Sequence, residues 1–484
     1  MHRKLPLIIT ILFVSISFAQ ASEVLTLNQF IKTAIIKNPQ HQVSAQNYLI
    51  ALEQNKSAKS LEDWNLVASG LIQDSNPAAA SAFSASHQHL EGYSLGLSKY
   101  IANTGTALSI EHSNTRLAAE YPAAAAAFIP VNRYYLSNVK ISIVQPLLKN
   151  AFGLAARNGL LMSDYSLQLA GLKLSEDWEE FITLLHQDYI TWQQCHQNVQ
   201  IYSDKVKKVE NQLKLVERQL QYGLSEELDL VQFKQKVQAY KIMLEQSKLA
   251  CKNQTTKISN TVGEELSAYK PEEFVKNGKV LPEETAATYL AAESNLRKTT
   301  DLLASLQKKN LETKENAELM DVNLVAQANP GALATKFSDT YSNLGDNNEY
   351  TLTISASRPL GNTQAAAESK AAKAEYEKTI KQNEATLLNA QTGLSALYAG
   401  LESLNAMIEL NEDNLKLAEK RLALEQKKFE QGRSSGFFLL QAEDDLLQAT
   451  NTNNETLFAR EKIISQIKSF TDQYLIEYKD ILKL

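Results

Sequence analysis

The most regular pattern in the chain is a heptad repeat of apolar residues that runs up to a glycine at position 223. Its members alternate in spacings of four and three: Cys195, Val199, Tyr202, Val206, Val209, Leu213, Val216 and Leu220. Such a seam is typical of a helix that packs along another helix in a coiled coil. The seam resumes at Leu230, so the sequence predicts an antiparallel helical hairpin that turns at Gly223.

This arrangement occurs twice in the chain. The segment LQYGLSEELDL at residues 220–230 aligns without a gap with FEQGRSSGFFL at residues 429–439, which places Gly223 opposite Gly432. Each long helical run follows an alternating stretch that ends at a proline, Pro146 in the first copy and Pro359 in the second. A repeat of this length indicates two copies of one supersecondary unit.

The duplication divides the chain into a first repeat at residues 22–270 and a second repeat at residues 271–484. The first repeat is predicted to hold a helix at 27–60, strands at 64–74 and 139–146, an inserted hairpin at 93–114, a long helix at 147–222, a tip at 223–225 and a return helix at 226–262. The second is predicted to hold a helix at 283–319, strands at 321–328 and 350–358, a long helix at 360–431, a tip at 432–436 and a return helix at 437–475.

The predicted strands alternate between apolar and small polar residues. In the last strand Tyr350, Leu352 and Ile354 alternate with threonine and serine. This alternation suits a membrane barrel with lipid outside and water inside, and it equally suits the half-buried sheet of a soluble protein. Because the sheet has no obvious apolar partner and the chain has an export signal, we favour the barrel. Four to six strands are too few to close one, so several copies must contribute.

The start of the chain carries that export signal. A basic stretch at residues 2–4 precedes an apolar run, and Ala19-Gln20-Ala21 forms an A-x-A cleavage site, which predicts a signal peptide at residues 1–21. The alternative is a single membrane anchor, but the run is shorter than the roughly 20 residues that a spanning helix needs. No later apolar stretch has that length, so any membrane span is predicted to be a β-barrel.

Composition and motifs exclude several classes of function. The net charge of −6 disfavours binding to nucleic acid. The sequence contains no G-x-G-x-x-G, P-loop, H-E-x-x-H or C-x-x-C motif, and no cluster of nucleophile, base and orienting group is evident. We therefore expect no enzyme activity, no cofactor and no metal site. His186 and His196 are interpreted as residues of a helix surface.

The two cysteines lie at equal distances from the first tip. Cys195 comes 28 residues before Gly223 and Cys251 comes 28 residues after it, so a symmetric hairpin places both at one height. A disulfide is plausible in an oxidising compartment, provided that the Cα atoms come within about 7 Å. The alternative is that both are small apolar residues of the seam.

Taken together, these features resemble an outer-membrane efflux protein of the TolC family. The resemblance rests on the opening helix LTLNQFIKTAIIKNPQ, the strand-to-helix corners VQPLLKN and SRPLGN, and the two G-x-S turns, in matching order and spacing over nearly the full length. It implies a mainly α-helical, internally duplicated fold with membrane β-strands: a long coiled-coil helical barrel joined to a trimeric transmembrane β-barrel. Each copy would give four strands to a barrel of twelve.

The same resemblance implies a function and its partners. The protein would be a homotrimeric channel in the outer membrane of a Gram-negative bacterium, embedded in lipid and extending into the periplasm. It would form the exit duct of a tripartite efflux pump or a type I secretion system, together with a periplasmic adaptor (membrane fusion) protein and an inner-membrane pump or ATPase. The alternatives are a secreted coiled-coil spacer and a periplasmic adaptor. The inserted hairpin departs from the family pattern, and the sequence leaves open whether it adds barrel strands or lies outside the barrel.

The resemblance also implies that the helices close at their tips. Asp229 matches an acidic gate position of the family, and the remaining gate candidates are Glu226, Glu227, Arg433, Glu443, Asp444 and Asp445. The last three acidic residues would supply a displaced acidic ring, or would simply be a solvated helix face, and Arg433 would pair with an acidic residue of the first tip. The candidates for adaptor docking are Gly223, Leu224, Ser225, Gly432, Ser434 and Ser435.

Overall fold

The computed structural model describes residues 23–78, 81, 83–223, 225–276 and 278–482. The predicted signal peptide at residues 1–21 and the tip residue Leu224 lie outside them. The chain forms two compact units. The first contains residues up to Gln42, Asp177–Tyr289 and the chain from Gln391 onward; the second contains Val43–Glu176 and Leu290–Ala390.

The second unit is built around one antiparallel sheet of six strands. These are β2 (Asn65–Ser75), β3 (His87–Ile101), β4 (Thr106–Glu120), β5 (Arg133–Pro146), β7 (Asp321–Ala334) and β8 (Asn347–Ser357), in the spatial order β2-β3-β4-β5-β7-β8. The six strands occur in the sheet in the same order as in the chain, which is the order of an up-and-down meander. The connection from β5 to β7 is long, however, and contains helices and the short strand β6 (Tyr269–Pro271). In the single chain, β2 and β8 form its two open edges.

The two faces of this sheet differ in chemistry. Leu66 of β2, Leu97 of β3, Ile141 of β5 and Leu352 of β8 belong to one face, which we call the apolar face because aliphatic residues fill most of its length. The opposite, polar face carries mainly serine, threonine, asparagine and glutamine, with Glu111 directly across from Lys140. Many large residues of the apolar face are exposed in the single chain: Leu66, Ile72, Leu95, Ile110, Ile141, Ile143, Tyr350, Leu352 and Ile354.

A short helix, α8 (Phe337–Ser342), lies against the end of the apolar face that is remote from the strand-to-helix corners. Its Tyr341 hydroxyl hydrogen-bonds the hydroxyl of Tyr93, and its Thr340 hydroxyl accepts a bond from the Asn114 amide at 3.2 Å. The Phe337 ring packs edge-on against Tyr135, with centroids 5.8 Å apart. Aromatic residues therefore cluster where the aliphatic part of this face ends, as they do at the interfaces of membrane barrels.

Four helices complete the second unit, wholly or in part: α2 (Pro39–Lys59), α7 (Asn295–Ala317), and the early parts of α4 (Leu154–Gln221) and α9 (Thr363–Glu430). At 68 residues each, α4 and α9 are about 100 Å long. Polar side chains link neighbours in this layer; the Asn55 amide, for example, donates to Asp164 at 2.8 Å. A single turn, α3 (Ala123–Ala126), lies between β4 and β5.

Two predicted helices are each divided. The helix predicted at 27–60 is split into α1 (Leu27–Lys37) and α2, because the residue before Pro39 is disfavoured in a helical conformation. The helix predicted at 283–319 is split into α6 (Glu283–Ala292) and α7, because the Ser294 side chain accepts a bond from the Arg297 amide and so starts a new helix. The long helices begin later than predicted, since left-handed residues at Asn150 and Asn362 shape the corners after each proline.

The first unit contains the helical tips. It holds α1, α5 (Glu227–Val262), α6, α10 (Gly436–Phe470) and the distal parts of α4 and α9, with short helices α11 (Gln473–Glu477) and α12 (Lys479–Leu482) at the end. Two three-residue strands, β1 (Glu23–Leu25) and β6 (Tyr269–Pro271), pair in parallel. The Tyr189 hydroxyl donates to the Leu25 carbonyl at 2.7 Å and accepts from the Glu272 amide at 3.0 Å.

Among the helices in the described part of the chain, none has both the length and the apolar composition that a bilayer crossing requires.

Candidate functional site

The two tips are built by the same local device. Gly223 follows α4 and Gly432 follows α9, and both have left-handed backbone conformations, with φ of +68° and +66°. A residue without a side chain is favoured at this position because it ends the helix and reverses the chain without steric strain. A return helix begins four residues beyond each glycine, α5 at Glu227 and α10 at Gly436.

The two hairpins share one apolar core beneath the tips. All four helices contribute to it, through the buried side chains Val206, Val209, Val216, Phe233, Val237, Tyr240, Leu422, Phe429, Leu439, Leu440, Ala442 and Leu447. The rings of Phe233 and Phe429, one from each hairpin, lie 6.0 Å apart between centroids. Apolar packing therefore holds the two tips side by side, and the polar contacts described below further stabilise this interface between the hairpins.

Asp229 connects the two tips through its carboxylate. One oxygen accepts from the Ser225 hydroxyl at 3.0 Å and from the Glu226 amide at 3.5 Å, which fixes the start of its own helix. The other oxygen accepts from the Gly436 amide at 3.1 Å, the first residue of α10. Because the first amides of a helix lack partners within the helix, a carboxylate from the other hairpin is a favourable cap.

Gly436 is needed for this approach. A Cβ atom built on it would lie 2.7 Å from the Asp229 carboxylate and 2.8 Å from the Phe233 ring. Both neighbours are held in place by the core and the cap, so any larger residue would push α10 away from the first hairpin.

Glu443 is the best buried charged group at the tips. Its side chain is 0% exposed, and its oxygens lie 2.8 Å from Lys205 Nζ and 2.7 Å from Lys208 Nζ. The Gln212 amide donates to it at 3.1 Å. Burial opposes ionisation, but the hydrogen bonds from both lysines outweigh it and hold the pKa of the Glu443 carboxyl below its usual value. The glutamate of α10 is thus an ionised link to α4.

The next two acidic residues also form ion pairs with neighbouring helices. Asp444 lies 2.5 Å from Lys236 Nζ and accepts a bond from the Tyr240 hydroxyl at 2.9 Å, so it ties α10 to α5. Asp445 pairs with Arg421 of α9, within its own hairpin. Burial and the neighbouring Asp444 carboxylate raise the pKa of Tyr240, so its hydroxyl stays protonated as a donor.

These positions differ from the predicted roles in two respects. Glu443 is neither a solvated helix residue nor a member of an exposed acidic ring, because the side chain is enclosed between α10 and α4. Arg433 is exposed, and within the described residues it forms no ion pair with Asp229, Glu226 or Glu227. Sequence periodicity placed the acidic residues on a helix, but which face met lysines depended on the neighbouring hairpin.

Exposed apolar side chains surround the tips, and sequence reasoning did not single them out. Phe437 and Phe438 at the start of α10 are each 54% exposed, and their rings contact one another edge-on. Tyr222 and Leu228 are exposed at the first tip. The gapless alignment of the tips pairs Leu228 with Phe437. An apolar residue at the same position of both tips is the sequence signal from which a shared contact surface could have been predicted. Exposed apolar clusters of this kind mark sites of protein contact.

Farther from the tips, a disulfide joins Cys195 of α4 to Cys251 of α5, with Cα atoms 5.0 Å apart. The two residues that lie equidistant from Gly223 in the sequence therefore meet across the hairpin. Among the described residues, the one group of three with metal-ligand spacing is Cys195, His196 and Cys251. Its two sulfur atoms are bonded to each other, so the thiolates that a metal would need are already used.

His186 is buried, so the interpretation of this residue as part of a helix surface is wrong. Its ring stacks on Tyr474 with centroids 4.4 Å apart, and its Nε2 lies 3.0 Å from the Tyr478 hydroxyl. Burial, with a smaller contribution from Lys468, lowers the pKa of His186 to about 3. Tyr474 lies in α11 and Tyr478 directly follows it. The helices α11 and α12 were not predicted as separate elements, because segments this short give no clear periodicity.

Comparisons with known proteins agree with this architecture. Residues 287–461 match the family of outer membrane efflux proteins. The chain shares its fold with VceC, an outer membrane protein of Vibrio cholerae, at a TM-score of 0.67 and 14% identity over 92% of this chain and 96% of that one. The chain also shares its fold with the outer-membrane channel OprN, at a TM-score of 0.68 and 14% identity over 92% of this chain and 89% of that one. A third similar structure is the MtrE outer membrane channel of Neisseria gonorrhoeae, at a TM-score of 0.68 and 11% identity over 92% of this chain and 88% of that one. No curated protein sequence matches the chain.

Proposed function

We propose that this chain, which carries an outer membrane efflux protein domain and has the fold of outer-membrane channels throughout, is the outer-membrane exit duct of a tripartite efflux pump. The protein lies in the outer membrane of a Gram-negative bacterium and extends into the periplasm. The family is one of transport channels and not a class of enzymes. Channels of this family are homotrimers that work with an adaptor and an inner-membrane transporter, and we assign the same assembly to this chain.

The observation that carries the proposal is the six-stranded sheet with one exposed apolar face and one polar face. A soluble protein would need another element to cover Leu352, Ile354 and their neighbours, since exposed apolar surface on that scale is unfavourable in water. Lipid on this side and water on the other suit both faces. A coiled-coil spacer or an adaptor gives no reason for such a sheet, and the comparisons give those alternatives no support.

The contacts at the tips support a gate made of links within one copy. Asp229 to Gly436, Glu443 to Lys205 and Lys208, and Asp444 to Lys236 each join the first hairpin to the second. Breaking them would free one hairpin to move relative to the other, which would widen the entrance. We therefore assign Glu443 and Asp444 to the gate as ion pairs that lock one hairpin to the other, and not as members of an acidic ring. Glu226 and Glu227 are exposed beside this lock.

We assign the docking site of the adaptor to the exposed tips. Gly223, Ser225, Gly432, Ser434 and Ser435 form the two turns, and the apolar side chains of Tyr222, Leu228, Phe437 and Phe438 stand beside them. A rigid pair of helical hairpins with an apolar, exposed end suits a partner that also presents helical tips. The predicted docking residue Leu224 belongs to the same turn by sequence but lies outside the described residues.

Two measurements test the function directly. Purified mature protein should migrate as a heat-sensitive trimer in mild detergent and should insert into a planar bilayer with a small, stable conductance. In a strain that lacks its own exit duct, expression together with the cognate adaptor and transporter should restore resistance to exported compounds. Protein that is soluble without detergent and never inserts would overturn the proposal in favour of a periplasmic spacer.

A further inference from the structure

We propose that each copy contributes six strands to the shared barrel, so that three copies close a barrel of eighteen strands and not of twelve. This inference rests on the trimer of the proposed function. It concerns the hairpin of β3 and β4, which the sequence left unplaced. The partner at each open sheet edge is a second copy of this chain.

The hairpin is a full part of the sheet and is longer than predicted, at residues 87–120 instead of 93–114. Every residue of β2 pairs with β3, every residue of β3 pairs with β4, and β4 pairs with β5 over Ala107–Ala118. One row of directly paired residues crosses all four strands and consists of Ser69, Ser94, Ser113 and Asn138. Strands β2 and β5 are thus separated by two others and do not touch.

The turn of the hairpin is fixed to the strand-to-helix corner. A Cβ atom on Gly105 would lie 2.7 Å from the Gly153 nitrogen, so the two backbones meet at a distance that only glycine permits. On one side the Gln145 amide donates to the Thr104 carbonyl at 2.9 Å. On the other side the Ala102 amide donates to the Glu62 carboxylate at 2.9 Å. A loose extension outside the barrel would not need these anchors.

The hairpin also continues both faces of the sheet. Leu97 lies directly across from Leu66, and Ile110 lies across from Ile141, so the aliphatic band runs without a break from β2 through β5. Beyond the band, the ion pair between Glu91 and Arg116 lies at the end of the apolar face where the aromatic residues cluster. The charges are therefore at the height of an interface and not in the middle of the band.

The open edges determine how the barrel closes. In a meander with an even number of strands, β2 and β8 run in opposite directions, so β8 of one copy can pair with β2 of the next in antiparallel order. Both edge strands have eleven residues, and neither contains proline. Because lipid does not tolerate unpaired backbone, these edges must be covered, and six strands alone are too few to close a barrel.

The consequence is a wider exit. Barrel diameter grows roughly in proportion to strand number, so eighteen strands give a diameter about 1.5-fold that of twelve. Barrels of about 16–18 strands enclose an aqueous channel of porin size. The outer opening of this duct would then not limit flow, and control of flow would remain with the helical tips.

Cysteine pairs on the polar face distinguish the two barrels. In the membrane-inserted protein, Ser69→Cys with Ser94→Cys and Ser113→Cys with Asn138→Cys should each form an intrachain disulfide, since each pair is directly opposite. The pair Ser69→Cys with Asn138→Cys should not, because three strand spacings of about 4.8 Å separate them. Cross-linking of this third pair would mean that β2 contacts β5, and it would overturn the inference.

A second set of pairs tests closure. Thr353→Cys on β8 is combined in turn with Val67→Cys, Ser69→Cys and Leu71→Cys on β2, and the one combination that matches the register between the two strands should give covalent trimers. Thr353→Cys with Ser113→Cys is the control and should give none. Electron cryo-microscopy of the trimer should show eighteen strands. Covalent dimers as the largest species, or a twelve-stranded barrel in a conducting trimer, would overturn the strand count while leaving the channel function intact. Loss of both trimer and conductance in the unmodified protein would instead overturn the proposed function.

Discussion

The carboxylate of Asp229, in the first hairpin, caps the helix of the second by accepting a bond from the Gly436 amide at 3.1 Å. Asp229 and Gly436 are 207 residues apart in the chain, so one side chain contacts both turns. Replacement by asparagine keeps the size but turns one of the two carboxylate oxygens into an amide donor, so the hydrogen bonds that this oxygen accepts must be lost.

We expect Asp229→Asn to increase single-channel conductance, because the second hairpin is released from the first. The matched control is Glu217→Gln, an exposed acidic residue of α4 that precedes the same tip, which should leave conductance unchanged. Planar-bilayer recordings of both variants check this. Equal conductance in the two variants would remove Asp229 from the gate.

The Glu443 lock should matter for stability as well as for gating. In Glu443→Gln the buried ion pairs are lost and Lys205, only 12% exposed, is left without its charge partner. We expect the free energy of unfolding to fall by about 3 kcal/mol. The control Asp445→Asn breaks an exposed pair with Arg421, which contributes about 0–1 kcal/mol. Denaturant unfolding in detergent measures both, and an equal effect of the two changes would contradict the buried lock.

Stability should decrease in mild acid because of His186. The unfolded histidine binds a proton near its ordinary pKa of 6.5, whereas the buried residue does so only near a pKa of about 3. The contribution of the neutral ring is therefore complete above pH 6.5 and is lost as the pH falls from 6.5 towards 3. Thermal unfolding at pH 7.5 and pH 5 should show a drop that is smaller in His186→Gln. A half-exposed histidine, changed in His89→Gln, serves as the control, and identical pH dependence in all three proteins would exclude His186.

A separate loss should appear at lower pH. The folded pKa of Glu443 lies below its ordinary value of 4.5, so its contribution is present above pH 4.5 and disappears as the pH falls through the folded value. Conductance should therefore rise below pH 4.5 in the unmodified protein and change less in Glu443→Gln. A rise of the same size in both would assign the acid response to other groups.

The disulfide between Cys195 and Cys251 closes a segment of the first hairpin with a sequence separation of 56. Its removal in the Cys195→Ser, Cys251→Ser double variant should lower the free energy of unfolding by roughly 2–4 kcal/mol. Reductant should destabilise the unmodified protein by a similar amount and leave the double variant unaffected. Sensitivity of the double variant to reductant would contradict this account.

Neighbouring residues of β8 test the direction of the sheet. Leu352 belongs to the apolar face and Thr353 to the polar face. Arginine in place of Leu352 should cost about 2–4 kcal/mol in lipid and reduce trimer yield, whereas arginine in place of Thr353 should be tolerated and alter ion selectivity. Comparison of folded trimer by heat-modifiable gel mobility decides between them, and the opposite order would reverse the assignment of the two faces.

Much of this protein follows from local patterns. The heptad seam from Cys195 to Leu220 indicates a helix that packs along another, and glycines at positions 223 and 432 indicate turns, because both signals depend on residues close together in the chain. The alternation of Tyr350, Leu352 and Ile354 with polar residues likewise indicates a strand with one apolar face. The predicted fold class, long paired helices with the strands of an outer-membrane channel, is confirmed by the shared fold.

Tertiary structure alone decided the rest. Alternation in β3 and β4 is the same whether the hairpin lies in the barrel wall or outside it, and only the hydrogen-bond ladders to β2 and β5 place it in the sheet. Glu443 and His186 each occur in amphipathic helices, where sequence shows a face but not what covers it. Lysines of α4 enclose the first, and tyrosines of α11 and the residue after it enclose the second. Periodicity is a property of one segment, whereas pairing and burial depend on a second segment, which in both of these cases lies more than 200 residues away in the chain.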